Sequence, residues 1–496
     1  MDFFLFGDYN GAKNKSEEKE RMAKKAKIAI VTLGYEVYFQ QFEGLEEELK
    51  KKTGDFLQYF DKQSCEIFDA GFIDNTAKSF AAVQTIKQAD VDMIFVLLAT
   101  YVPSSICMPL ARYIQVPHVL VAIQPLDHLD YAHTTTFMQL ANDDVCAMPE
   151  ITGVYNRLGR AIPKCIVASS SQKQYLQTQV REWVEAANAL AAFKYATIGY
   201  LGHTYEGMYD MHTDPTAFAR TFGSHVKMLE MCELIKLVDD VQARELKEKI
   251  NTIKDTFEIC DPSHDPITDY VQDSDMEIAA KVACALDKLV ENNDLTALAY
   301  YYKGEKNRYE EVGANLIIGN TLLTSAGIPL AGEADLKTAA AMLIMNRIGA
   351  GGSFAEIHPF DTESDVVLIG HDGPHNIQIA SKKPCLRKLK KYHGKAGQGI
   401  GVEFSIKSGD ITMLGLTIDA DGQFRMVAAK GVSIEGEIPQ TGNTNTRVSF
   451  HCSIGRFLER WCEAGPTHHI ALGCGDKIET LKKFALLSGI RLTIIQ

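Results

Sequence analysis

The run Met93-Ile94-Phe95-Val96-Leu97-Leu98 offers solvent no polar side chain on either face, and this constrains the fold more than any other feature. A run so short and so uniformly apolar fits a strand buried on both sides, the signature of a parallel sheet covered by helices. Lys27–Leu33, ending at Gly34, and Val119–Ile123 read the same way. Helices are expected between them, at about Gln41–Lys51 and Phe80–Gln88. Function in such sheets collects in the loops after the strand C-termini. Here those loops are Gly34–Gln40, Ala99–Ser105 and Gln124–His133.

A helix over Ser171–Phe193 leads to a second α/β pattern that starts at the strand Tyr195–Tyr200. Helices at Glu245–Thr256 and Met276–Glu291, a strand at Ala297–Tyr302 and a helix at Asp335–Arg347 continue it. In the last of these, Leu336, Ala339, Ala340 and Leu343 recur at helical spacing. The texture changes after Ala350. Val366–Ile369, Gly401–Ser405, Ile411–Ile418 and Phe424–Val432 are short β-type runs separated by turns such as Asp419-Ala420-Asp421-Gly422. These indicate an antiparallel barrel or sandwich. The expected architecture is two Rossmann-like α/β domains with parallel sheets (27–193 and 194–349), followed by a C-terminal antiparallel β-barrel domain (350–496). Residues 1–26, charged and aperiodic, read as a mobile extension.

The formal net charge of -13 argues against a nucleic-acid or anionic-membrane partner. The longest apolar stretch, Met93–Leu110, is broken by Pro103, Ser104 and Ser105 and is too short to span a bilayer. The short N-terminal apolar run has no basic residues before it, unlike a secretory signal. A cytoplasmic location is therefore expected. The 11 cysteines form no CxxC pair and several lie in apolar runs, as free thiols of a reducing compartment would.

Gly349-Ala350-Gly351-Gly352 follows a helix rather than a strand, so it reads as a helix exit and not as a phosphate loop. Four other positions carry metal-binding chemistry: Glu333, Glu356, His371 and His469. Two carboxylates and two imidazoles suit a divalent ion such as Mn²⁺, with positions left for substrate oxygens. Spacing alone leaves a second reading open for each. Either glutamate can be a solvated surface charge, with Glu333 favoured by a helix N-terminus. Either histidine can be a hydrogen-bonded turn residue.

The segment Gly332-Glu333-Ala334-Asp335-Leu336-Lys337-Thr338-Ala339-Ala340 resembles the G-E-G-D-(W/L)-K-T-A-A segment of the L-arabinose isomerase family. Ser353-Phe354-Ala355-Glu356 is similar to its S-F-M-E, Leu368-Ile369-Gly370-His371 to its L-G-S-H, and Ala464–His469 to its A-G-G-A-H-H. The resemblance implies that Glu333, Glu356, His371 and His469 bind Mn²⁺ and that both glutamates serve catalysis. It extends to Ala99–Pro103 (family H-T-F-S-P), Tyr131–Thr134 (T-A-H-G) and loosely to Gly202–Met208 (G-D-N-M). Tyr101, Gln124, His133, Met208 and His468 thereby become candidate substrate contacts. For Tyr101 and Met208 core packing is an equal reading, and for Gln124 a loop-capping hydrogen bond. Two departures stand out. Ile357-His358-Pro359 replaces Asp-Tyr-Thr after Glu356, and Asp372-Gly373-Pro374-His375-Asn376 replaces M-L-E-V after His371.

These features predict a metal-dependent aldose–ketose isomerase acting through an enediol, on L-arabinose or a related aldose. The resemblance also implies a homo-oligomer, a hexamer, in which a neighbouring subunit contributes to each site. Two rival readings use the same residues: a non-catalytic sugar-binding protein, and a metal-dependent hydrolase or lyase.

Overall fold

A computed structural model of the chain describes residues 25–262, 265–303, 307–390 and 399–496. Residues 1–24, most of the expected mobile extension, lie outside the described residues. The chain divides into two compact units, Lys24–Ala191 and a second that holds Ala192–Gln496.

The first unit is built on a five-stranded parallel sheet. Its spatial order is Glu66–Ile73, Lys27–Leu33, Met93–Leu98, His118–Gln124, Lys164–Ser169. Every residue of the central strand Met93–Leu98 is buried, as its composition requires. Beyond the strand ends, Lys52 is buried and donates to the carbonyls of Ala99 and Ala141 and to Asp144. One ammonium thus ties two loops together where backbone carbonyls would otherwise lack donors.

The second unit contains a short parallel sheet in the order Leu330–Ala331, Ala297–Tyr300, Thr197–Leu201, His225–Leu229. It also contains a closed barrel of six antiparallel strands. Around the barrel these are Ser353–Asp361, Val366–His371, Thr444–Ser449, Phe424–Ile434, Gly409–Ile418 and Ile470–Cys474, which pairs back to the first. Arg491–Ile495 lies parallel alongside Phe424–Ile434. Closure removes the unpaired edges that an open antiparallel sheet would expose. Gly370 permits one of these pairings: a Cβ there would lie 1.8 Å from the Thr444 carbonyl oxygen.

The helix Leu336–Arg347 packs on strands of both the parallel sheet and the barrel. Leu336 to Met345 are all buried, so the helix is enclosed on every side rather than amphipathic. Small residues (Ala339, Ala340, Ala341) allow this close approach. No helix among the described residues is long and apolar enough to cross a membrane.

The expectation that all thiols are free is corrected at one place. Cys260 and Cys385 form a disulfide with Cα atoms 5.6 Å apart, while the other nine cysteines are free. The pair lies where the strand Glu258–Ile259 meets Cys385–Leu389, and Cys260 N–H donates to the Leu386 carbonyl. Parallel pairing of segments distant in sequence brought these thiols together, so their spacing gave no hint. Alkylation in denaturant without reductant is expected to label nine thiols, and eleven after reduction. Cys260→Ser should lower the stability of the oxidised chain by about 2–4 kcal/mol in urea titration; equal midpoints would count against the bond.

Candidate metal centre

Glu356 sits on the first barrel strand, on the same face as Phe354 by strand alternation. Antiparallel register sets Glu356 opposite Gly370, one residue before His371. On its other side Ala355 pairs with Ile470, which brings His469 level with Glu356. Register therefore carries three residues from distant parts of the chain to neighbouring levels at one end of the barrel.

Glu333 arrives from the parallel sheet. It occupies the turn Gly332–Ala334 between the strand Leu330–Ala331 and the helix Leu336–Arg347. Glu333 and Ala334 both take left-handed backbone conformations, with φ of 58° and 56°. Such a conformation costs a side-chain-bearing residue about 1–2 kcal/mol. The resembling motif has glycine where Ala334 stands, so this chain keeps the turn at a higher conformational cost. Tyr205 N–H donates to the Glu333 carbonyl at 3.1 Å and helps to hold it.

All four predicted ligands converge. His469 Nε2 lies 3.6 Å from Glu333 Oε2, and His371 Nε2 lies 3.8 Å from Glu356 Oε1. Two groups have ligand atoms all within 4.8 Å of one another: Glu333, His468 and His469, and Glu356, His371 and His469. Glu333 Oε2 and His469 Nε2 are buried without a hydrogen-bond partner. Two acceptors left this way cost several kcal/mol unless a cation or donor joins them. The residues present thus fit a divalent cation.

Each histidine has a carboxylate at Nδ1. Asp335 Oδ2 lies 3.1 Å from His469, Asp372 Oδ1 2.9 Å from His371, and Asp210 Oδ2 2.7 Å from His468. A carboxylate on one ring nitrogen orients the ring and leaves the other lone pair for a ligand. Asp335 does a second job as the N-cap of Leu336–Arg347, accepting from the backbone N–H groups of Lys337 and Thr338. The Phe354 ring packs against His371 and His469, with centroids 4.7 and 4.4 Å away.

Burial raises the Glu333 pKa above the usual glutamate value, and His371 and His468 offset this only in part. Burial also opposes a charged His371, but Asp372, Glu356 and Glu333 outweigh it, so its pKa is raised. In His469 burial wins over Asp335 and lowers the pKa to about 4, which keeps the ring neutral, as a ligand requires. Asp335 is fully buried, yet Lys337, His469 and Thr338 hold its carboxyl well below the usual range.

A cleft beside these residues is lined by Tyr300, Tyr302, Gly332, Glu333, His371 and Asp372. Met208 is half-buried at the start of the turn Tyr209–Met211, whose Asp210 also accepts from His468 N–H. Tyr101, Gln124 and His133 belong to the other unit. Tyr101 donates to Glu150, Gln124 to the Leu126 carbonyl, and an exposed His133 pairs with Asp130. Sequence reasoning passed over Asp335, Asp372, Asp210 and the tyrosines. Only Asp335 left a signal, as a capping residue ahead of a helix.

Asp335→Asn should preserve the helix cap, since asparagine caps equally well. If the group holds a divalent cation, the substitution should weaken its binding by about 10–100-fold in calorimetry; undiminished affinity would remove Asp335 from the centre. A second expectation concerns acid. Burial lowers His118 and His375 to about 3 and His469 to about 4. Unfolded histidines take up protons below about pH 6.5, and these three refuse them when folded. Stability should therefore fall as pH drops from about 6.5 toward 4, by up to about 1.4 kcal/mol per pH unit for each group. Urea midpoints at pH 7 and pH 4.5 test the sign.

Comparison with known proteins agrees with this geometry. The family model for the L-arabinose isomerase central domain matches residues 185–351, and that for the L-arabinose isomerase C-terminal domain matches residues 351–491. The L-arabinose isomerase of Saccharophagus degradans is 22% identical over 337 residues, 66% of this chain and 66% of that protein. L-arabinose isomerase 1 of Bacillus licheniformis is 22% identical over 345 residues, covering 68% and 67%. The sulfoquinovose isomerase of Alkalicoccus urumqiensis is 20% identical over 337 residues, covering 67% and 72%. The matched region thus spans about two thirds of the length of such relatives. With both domain models placed on the unit that carries the glutamate–histidine centre, the chain belongs to the L-arabinose isomerase family.

Proposed function

We propose that this protein is a metal-dependent aldose–ketose isomerase that works through an enediol, with Mn²⁺ as its ion. The observation that carries this reading is the convergence of Glu333, Glu356, His371 and His469 around orphaned, buried acceptor atoms beside a cleft.

The reaction moves a proton between C1 and C2 of the sugar and another between O1 and O2. Glu333, Glu356, His371 and His469 would hold the ion, which supplies Lewis acidity toward two adjacent sugar oxygens. The remaining tasks fall to the chain. Glu333 and Glu356 jointly move the carbon-bound proton, one taking it and the other serving the oxygens. Sharing one site couples their titrations. The neutral His469 adds no repulsion toward the ion, and Asp335 keeps its ring in place. Phe354 walls the histidines from solvent. His468, fixed by Asp210, faces the same group as Glu333 and can accept or donate a hydrogen bond to sugar.

Tyr101, Gln124, His133 and Met208 are proposed to contact the sugar. Tyr101 and His133 lie on loops of the Lys24–Ala191 unit after strand C-termini and Gln124 is the last residue of its strand, the end at which ligands of such sheets bind. In a cytoplasmic homo-oligomer, a hexamer, they would serve a neighbouring subunit's centre. L-arabinose or a related aldose is the proposed substrate. The rebuilt segments after Glu356 and His371 favour a relative of arabinose.

Incubation with Mn²⁺ and a panel of aldoses should yield a ketose of unchanged mass from at least one of them. Glu333→Gln should lower turnover by about two orders of magnitude. Sugar binding without metal and without conversion would favour a binding protein, and products of altered mass a hydrolase or lyase. Mixing Glu333→Gln chains with His133→Ala chains should restore part of the activity if sites are shared between subunits.

A further inference from the structure

The Cys260–Cys385 bond keeps unusual company. Nine of the eleven cysteines are free, and Cys146, Cys165, Cys232 and Cys462 are exposed. Exposed free thiols suit a reducing environment, where a permanent disulfide is rare and a reversible one reports redox state. Cys260 and Cys385 are each only partly buried, so small thiols have access to the bond. Accessible bonds exchange with such thiols, whereas enclosed structural ones resist them.

What the bond fastens is otherwise weakly held. The parallel ladder here has two residue pairs, Glu258 with Cys385 and Ile259 with Leu386. Ile259 is exposed, so it adds little apolar burial. Arg387 supplies one further tie, donating to the Asp261 carbonyl at 2.6 Å. A ladder this short is a marginal attachment, and the covalent link decides whether it holds.

What it fastens to leads toward the centre. Cys385–Leu389 pairs along its whole length with Gly399–Glu403. The same Arg387 that holds Asp261 donates from Nε and Nη2 to the two carboxylate oxygens of Glu403, at 3.0 and 2.9 Å, and both side chains are buried. Glu403 also accepts from Gly442 N–H, and the Val402 carbonyl accepts from the Thr444 hydroxyl. Thr444 is the register partner of His371. Arg387, Glu403 and Thr444 thus connect the disulfide to the strand that carries His371.

We propose that Cys260–Cys385 is a reversible redox site, a latch whose state sets the rigidity of Cys385–Leu389 and Gly399–Glu403 behind the His371 strand. Its co-reactant is a low-molecular-weight thiol–disulfide couple. To close the latch, one protein thiolate attacks a sulfur of the small disulfide and expels a small thiolate. The second protein thiolate then attacks the mixed disulfide and expels the other. Two protein thiols become one disulfide, one small disulfide becomes two thiols, and the two protons pass to the departing thiolates. Excess small thiol runs the same steps backwards. The latch operates whatever reaction the centre performs.

The full chain is equilibrated in mixtures of reduced and oxidised glutathione, quenched in acid, alkylated and mapped by mass spectrometry. Parallel samples are labelled by deuterium exchange. The bond should open and close as the glutathione ratio changes, in native buffer. Opening should speed amide exchange over residues 258–261, 385–389 and 399–403 by about tenfold or more, and over 444–446 to a smaller extent. Strands 27–33 and 93–98 of the other unit should keep their rates. Cys260→Ser and Cys385→Ser, each in oxidising buffer, should exchange as the reduced wild type does. A bond that yields only in denaturant would overturn the proposal, since it would be a permanent staple. Glutathione persisting on either cysteine in place of the internal bond would overturn it too. So would opening that speeds exchange over 258–261 alone, or equally over the whole chain, because the latch would then not act on the strands behind His371.

Discussion

The contact between Asp335 and His469 joins the two halves of the C-terminal unit at the centre. Asp335 belongs to the start of the helix that leaves the parallel sheet, and His469 to the entrance of a barrel strand. A buried carboxylate is tolerable only with several donors. Asp335 has them in two backbone N–H groups, the Thr338 hydroxyl and the His469 ring, with the Lys337 ammonium 3.6 Å away. Removing any of these would leave charge stranded in the interior. The same network fixes the helix start, the His469 ring and, through the preceding turn, Glu333. Stability and site geometry therefore share one set of hydrogen bonds.

The barrel contributes by register. Strand pairing sets the heights of Glu356 and His371, and of Ile470, which follows directly on His469. Glu333 is delivered differently, by a left-handed turn that lifts its side chain off the sheet. Strands hold Glu356 and His371, the residue before a strand is His469, and a strained turn holds Glu333. Positioning on regular elements suits a metal centre, where small displacements weaken binding.

Much of this was legible in the sequence. The all-apolar run Met93–Leu98 announced a doubly covered parallel strand, and the glutamates and histidines that converge were readable in motifs resembling a known family. The edge strands Glu66–Ile73 and Lys164–Ser169 left weaker signals. They are only partly buried, so neither pure apolarity nor clean alternation marks them. The spacing in Leu336–Arg347 suggested one apolar face, yet the helix is buried all round, and its buried Lys337 is tolerated because Asp335 lies alongside. The carboxylates behind the histidines could not be foreseen for Asp210 and Asp372. Such partners are chosen by three-dimensional proximity, and aspartates in turns are common everywhere.

The place of Ile470–Cys474 in the ring has a consequence for biosynthesis. It is inserted between Ser353–Asp361 and Gly409–Ile418, both of which emerge earlier from the ribosome. Until it docks, the nascent sheet has a gap and the cluster lacks its shared imidazole. Docking closes the gap and delivers His469 in one event. A cation bound by this group would therefore report completed assembly: a truncated or misthreaded product would keep both glutamates and His371 and still lack the histidine common to both groups.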